Sequence, residues 1–169
     1  EPDSVSFSAE GALAATALHE VRVWEAESLA GSHSNEPAAA RVLQLKQFGA
    51  RGSLAWSTNG ELALGDLSAG TLVLDPRANR IVCRWQGSQV QLRQDGHGFT
   101  AGPPVSGEYV TVWDRDGHAL AAMIDMKRAT IRTLALSNEL GWLMAGRRDG
   151  SISIWAVGDL GTSQESAAP

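Results

Sequence analysis

Apolar and polar residues alternate with a period of two along several short stretches of the chain. The sharpest is residues 147–155, RRDGSISIW, where Asp149-Gly150 marks a turn and Ser151 and Ser153 then alternate with Ile152 and Ile154 into Trp155. Successive side chains of a strand point to opposite faces, so this spacing predicts a β-strand with both isoleucines on one face. The phrase recurs. Val21-Arg22-Val23-Trp24 and Val110-Thr111-Val112-Trp113 match it, and Thr71-Leu72-Val73-Leu74 carries Leu in place of Trp. In chain order the phrases end at Trp24, Leu74, Trp113 and Trp155, at intervals of 50, 39 and 42 residues.

A second phrase precedes each of these: Phe7-Ser8-Ala9-Glu10-Gly11, Trp56-Ser57-Thr58-Asn59-Gly60, Leu92-Arg93-Gln94-Asp95-Gly96 and Leu136-Ser137-Asn138-Glu139-Leu140-Gly141. Each reads as a strand ending in a large apolar residue, then a polar turn closed by glycine, which adopts positive φ at little steric cost. Between the two phrases lies room for one more strand, at Leu13–Thr16, Leu62–Gly65, Phe99–Ala101 and Leu143–Gly146. Each unit therefore holds strands a, b and c. A fourth strand, d, follows in the first three units, at Arg41–Lys46, Arg80–Trp85 and His118–Ile124. Antiparallel four-stranded units repeating about every 40 residues predict an all-β protein, a β-propeller, with blades at about 4–46, 53–86, 89–125 and 130–157.

The combination of apolar-Ser-x-Asp/Glu/Asn-Gly with Asp-Gly-x-Ile-x-Ile-Trp resembles the WD40-repeat family, in a divergent form. The fourth unit matches best, and the resemblance covers nearly all of residues 4–157. The family's Trp-Asp pair is intact at Trp113-Asp114, and becomes Trp24-Glu25, Leu74-Asp75 and Trp155-Ala156 elsewhere. The Gly-His pairs, Gly96-His97 and Gly117-His118, fall in turns and not before strand a. The family's buried His/Asp/Ser/Trp hydrogen-bond network is therefore not expected in any blade. WD40 rings usually have seven or eight blades, so four are expected to be the C-terminal half of a larger propeller, with the remaining blades before Glu1. The alternatives are a complete four-bladed domain and two chains pairing into one ring. The last unit lacks strand d, and residues 161–169 are small and polar, which predicts a disordered tail.

Composition changes this picture little. The 169 residues are 43% hydrophobic and 20% charged, with a net charge of -5. The cations, 12 Arg and 2 Lys, are scattered, so neither nucleic acid nor a membrane surface is an expected partner. Cys83 is the single cysteine, which excludes an internal disulfide and any cysteine-based zinc site. No apolar run approaches the roughly 20 residues of a membrane-spanning helix. The compartment stays open.

Candidate chemistry is sparse. His19-Glu20-Val21-Arg22-Val23 starts like a zinc-protease helix, but Val stands at the second histidine position and the segment reads as a strand. Asp114-Arg115-Asp116-Gly117 opens like a calcium loop and lacks the later ligands, so it reads as a β-turn. No catalytic, cofactor or metal site is expected. Trp24, Trp113 and Trp155 repeat at the end of strand c and are expected between blades, as is Trp56 in strand a. Trp142 is expected to be half buried.

The resemblance implies a protein–protein interaction scaffold. In WD40 proteins the d–a and b–c loops line the face where partners commonly dock. By position, the d–a loops hold Gln47, Phe48, Arg51, Gln86, Lys127 and Arg128. The b–c loops hold His19, Ser68, Pro103, Pro104, Arg147 and Arg148. Phe48, Arg51, Trp85, Arg147 and Arg148 are the candidate partner-binding residues, because aromatic and Arg side chains are favoured at binding hot spots. An acidic peptide or protein segment would suit the arginine-bearing loops. Residues 31–40, GSHSNEPAAA, predict an irregular surface excursion in the first blade. The rival readings are a regulatory or sensory propeller attached to an upstream enzymatic domain, and a propeller enzyme with its site in the central channel.

Overall fold

The computed structural model describes residues 3–17, 19–30, 40–45, 53–66, 69–102, 109–124 and 130–157. Its strands form four separate antiparallel sheets, each built from strands consecutive in the chain. Blade 1 contains β1 (Ser4–Phe7), β2 (Leu13–Ala17), β3 (Glu20–Trp24) and, after a short helix α1 (Ala26–Ala30), β4 (Arg41–Gln44). Blade 2 contains β5 (Leu54–Trp56), β6 (Leu62–Asp66), β7 (Gly70–Asp75) and β8 (Arg80–Trp85). Blade 3 contains β9 (Gln89–Leu92), β10 (Gly98–Ala101), β11 (Tyr109–Trp113) and β12 (Ala119–Ile124). Blade 4 has three strands, β13 (Ile131–Ser137), β14 (Trp142–Arg147) and β15 (Ile152–Ala156), and no outer strand among the described residues.

The period-two pattern sets which face of each blade meets which neighbour. In blade 1 the register Ala14↔Val23 and Val21↔Leu43 gathers these four residues on one face. That face packs on Leu54, Leu62, Leu64, Leu72 and Leu74 of blade 2. The other face of blade 2, with Ala63, Val73 and Trp85, packs on Val90, Leu92 and Trp113 of blade 3. Phe99, Val110 and Val112 then turn to Leu134, Leu143 and Val157 of blade 4. A wholly buried Val or Leu contributes about 1.5–3 kcal/mol. Each junction holds several, so the blades cohere as a stack of nearest neighbours.

In blades 1 to 3 the turns between strands a and b share one geometry. In blade 2 the Gly60 amide donates to the Ser57 carbonyl (3.2 Å) and the Ser57 amide to the Glu61 carbonyl (2.9 Å). This is a type I turn followed by a left-handed residue, a three-residue hairpin that needs glycine at its last position. Gly60 has φ 79°. The Ser57 hydroxyl also accepts the Glu61 amide at 3.0 Å. Ser8 and Gly11 repeat the arrangement in blade 1, which is why the polar phrase recurs in the sequence.

The helix α1 was not legible in the sequence. It is a single turn started by the Glu25 carbonyl, which accepts the amides of Ser28 (3.0 Å) and Leu29 (3.3 Å). The excursion expected at 31–40 and the tail at 161–169 lie, except for Ala40, outside the described residues.

Candidate interaction surface

A blade has two ends, one carrying the a–b and c–d turns and the other the b–c and d–a turns. The first end is cross-linked from blade to blade. Arg77, in the c–d turn of blade 2, reaches Glu10 in the a–b turn of blade 1 (2.8 Å). Arg115, in the c–d turn of blade 3, reaches Glu61 at the end of the a–b turn of blade 2 (2.7 Å). Between blades 3 and 4 the direction reverses: Arg93 in the a–b turn donates to the Val157 carbonyl (2.9 Å). Further bonds join the same turns, Thr58 Oγ1 to the Gln94 carbonyl (2.8 Å) and Arg41 Nη1 to the Pro76 carbonyl (2.5 Å).

Aspartates shape these turns. The Ala78 and Arg77 amides donate to Asp75 and, with Arg80 nearby, hold its carboxyl below the usual range. Burial pushes Asp95 up, but the His97 amide, Arg93 and the His97 ring outweigh it and leave the carboxyl lowered. Asp114 follows the same balance, with the His118 amide (2.7 Å) and ring (2.9 Å) overcoming desolvation. The Asp114–Gly117 segment is thus a hairpin turn, with the Gly117 amide on the Asp114 carbonyl. A shallow cleft, with room for little more than a water molecule, lies at this end between blades 1 and 2, bordered by Glu10, Glu25, Trp56 and Arg77.

The opposite end carries the candidate contact loops. Phe48 and Arg51 lie outside the described residues, as do Gln47, Ser68, Pro103, Pro104, Lys127 and Arg128. His19, Gln86 and Arg148 are exposed there. Arg148 sits on a pinned turn: its amide donates to the Thr130 carbonyl (3.0 Å), and the adjoining Gly150 amide to the Arg147 carbonyl (3.1 Å). Arg147 departs from the expectation of a contact residue. It is 6% exposed, and its guanidinium turns inward to donate to Ser153 Oγ (2.8 Å) and Ser151 Oγ (3.5 Å). The alternating serines of the RRDGSISIW segment therefore serve a buried cation.

Trp85 also departs from it. At 3% exposure it is interior, stacked on Trp113 with ring centroids 6.2 Å apart and planes 10° from parallel. The ring lies over Gly98, where a Cβ would fall 2.2 Å from Trp85 Cζ3. Strand d of blade 2 faces blade 3 at this position, so a large aromatic there fills the junction and not a surface. Trp113 Nε1 donates to Thr100 Oγ1 (2.7 Å), and Thr100 Oγ1 donates to the Gln86 carbonyl (2.5 Å). A tryptophan–hydroxyl link is thus formed in blade 3, and it runs to a backbone carbonyl with no histidine. Trp56 and Trp155 pack at the edges of their junctions, and Trp142, at 44% exposure, is about half buried as expected. Cys83, beside this core, has its thiol pushed up to about 11 by burial first and by Glu61, Asp114 and Asp116 after it.

The residues missed by sequence reasoning are the inter-blade arginines Arg77, Arg93 and Arg115. A signal was present, since Arg77 and Arg115 each follow an aspartate at the end of strand c. Their partners lie 54 to 67 residues away, and no local pattern identifies them. Among the described residues no group of three His, Cys, Asp or Glu side chains could hold a metal ion, and no helix is long and apolar enough to cross a membrane.

No protein-family model matches the sequence, and no curated protein sequence does. Solved structures do. The C-terminal WD40 domain of Sif2 superposes with a TM-score of 0.74 at 17% identity, over 93% of this chain and 43% of that one. Hydrazine synthase from Kuenenia stuttgartiensis gives 0.70 at 15% identity, over 94% and 47%. The WD40 domain of Toxoplasma gondii coronin gives 0.65 at 21% identity, over 87% and 40%. The chain spans less than half the length of each of these. With four sheets in chain order among the described residues, the last of them three-stranded, it has a WD40-like β-propeller fold.

Proposed function

We propose that the chain is a non-catalytic interaction module, a propeller segment that binds a partner protein or peptide through its b–c and d–a loops. The observation that carries this reading is the asymmetry between the two blade ends. At the a–b and c–d end, Arg77, Arg93 and Arg115 are engaged in ties between the turns of neighbouring blades, and the aspartates in bonds within their own turns. At the other end, the b–c turns differ in length from blade to blade, whereas the a–b turns keep one length in blades 1 to 3. The b–c connection is residues 18–19 in blade 1 and 102–108 in blade 3. A rigid frame with variable loops is how binding surfaces are commonly built. Arg148, exposed on a turn fixed by backbone hydrogen bonds, is a preorganised cation suited to an acidic segment.

The likeness to a hydrazine synthase chain, more than half of which lies beyond the match, supports a second reading. On this second reading the present chain would be a regulatory or sensory propeller module attached to an enzymatic domain.

A photo-crosslinking residue at Arg148 tests the first reading, with the same residue at Arg80 as control. The expected result is a defined crosslinked partner from position 148 and none from position 80. Purified partner should then bind an Arg148→Glu variant at least roughly tenfold more weakly, the loss of about 1.4 kcal/mol typical of a contributing interface arginine. Equal crosslinking at both positions, or unchanged affinity, would reject the loop surface.

A further inference from the structure

Positions that are buried in the other blades stand open in blade 4. Ile152 and Ile154 occupy the places of Val21 and Val23 in blade 1, and of Val110 and Val112 in blade 3. Those four valines are at most 3% exposed, whereas the isoleucines are 62% and 57% exposed. Met144, also exposed, takes the place of the fully buried Ala14, Ala63 and Phe99. In blades 1 to 3 this face packs on the next blade. In blade 4 it is an apolar sheet face with the composition of a junction and, among the described residues, no blade against it.

The turns say what fits there. Each of the three junctions has one arginine tying the a–b turn of a blade to the c–d segment of the next: Arg77 to Glu10, Arg115 to Glu61, Arg93 to Val157. At the open junction the a–b turn of blade 4 offers Asn138 and Glu139, both exposed and neither with an arginine partner among the described residues. The cation must come from the covering blade. We infer that the open face of blade 4 seats a further antiparallel blade carrying an arginine in its c–d turn, and that a second copy of this chain does not meet that requirement.

The second copy would present its blade 1, whose Val5 and Phe7 form the other open blade face among the described residues. Two features of that blade are wrong for the seat. Arg77 runs beside Gly60, 3.8 Å from a Cβ placed there, and Arg115 beside Gly96 at 3.3 Å. The residue beside Gly11 in the corresponding place, at 3.2 Å, is Ala26, flanked by Glu25 and Glu27. Carboxylates would therefore face Glu139. In addition, Arg22, paired with Glu20 at 2.7 Å, stands where blade 2 has the buried Leu72. Docking would press that ion pair onto Ile152 and Ile154 and strip its water, which costs more than an exposed pair returns. Apolar area drives such a contact, and the charged turn decides which blade is accepted.

The probe is the chain's own first blade recut to this description. Light scattering on a sizing column is expected to show no discrete two-copy species for the unaltered chain. An Arg22→Leu/Ala26→Arg variant is expected to form one, with Met144 protected from oxidation. Adding Glu139→Arg should weaken that species by at least roughly tenfold, the worth of one charged contact exchanged for a repulsion. If Ala26→Arg disturbs α1, Glu27→Arg places the same charge one residue on and should act alike. A discrete two-copy species of the unaltered chain overturns the inference. So does a recut variant that associates no better, or one that is indifferent to the change at Glu139.

Discussion

Replacing Gly98 by Ala should break the junction between blades 2 and 3. A Cβ at this position falls 2.2 and 2.3 Å from Trp85 Cζ3 and Cη2, far inside the about 3.5 Å of a relaxed carbon contact. The ring has no free direction to yield: it is 3% exposed and stacked on Trp113. Forcing one carbon into such a core costs about 1–3 kcal/mol. Disturbing the stack adds about 0.5–1.5 kcal/mol. Removing a glycine from a strand returns about 0.5–1 kcal/mol. The net loss is about 2 kcal/mol, which lowers the urea midpoint by about 1 M at an m-value near 2 kcal/mol/M. Urea unfolding followed by far-ultraviolet circular dichroism measures this. A double-mutant cycle locates its cause. With Trp85→Ala already present, Gly98→Ala should cost nothing, giving a coupling of about 2 kcal/mol. A Gly98→Ala midpoint within error of the parent, or equal costs in both backgrounds, would refute the packing argument.

Two further outcomes follow from the ionisable groups. The Cys83 thiol, with a pKa raised to about 11, has a thiolate fraction at pH 8 roughly 200-fold below that of an unfolded-chain thiol of pKa about 8.5; the greater nucleophilicity of a more basic thiolate leaves its reaction with a disulfide reagent roughly 10- to 25-fold slower; equal rates in native and unfolded protein would contradict the assigned burial. Asp75, Asp95 and Asp114 all have lowered carboxyl pKa values in the folded state. Their stabilising contribution is complete above the unfolded value of about 4 and is lost as pH falls through the lower folded values. Midpoints should thus hold steady from pH 7 to about 5 and decline below about 4, and an Asp114→Asn variant should show a shallower decline.

The blade pattern was legible because it is local. Each a–b turn carries its own closing glycine, preceded in blades 1, 2 and 4 by a serine, and each strand its own alternation, so Ser57, Gly60 and Ile154 announce their roles within a few residues. The candidate surface was less legible. Trp85 and Arg147 carry the side chains favoured at interfaces, yet the structure turns both inward, one over Gly98 and one onto Ser153. Their sequence surroundings do not distinguish an inward from an outward placement. That is set by which neighbouring blade meets the strand, tens of residues away.

The sequence by itself determined the strands, their tight turns and their repeat, because hydrophobic period and turn chemistry act over short distances. It determined also that one face of each strand must be covered. Only the tertiary structure decided which residue covers it. The pairing of Arg77 with Glu10 and of Arg115 with Glu61, the seating of Trp85 on Gly98, and the exposure of Ile152 and Ile154 all depend on how one blade meets the next. Such contacts form between chain segments whose separation no periodicity records. Their energy comes from complementary shape and charge that exist only once the blades stand side by side.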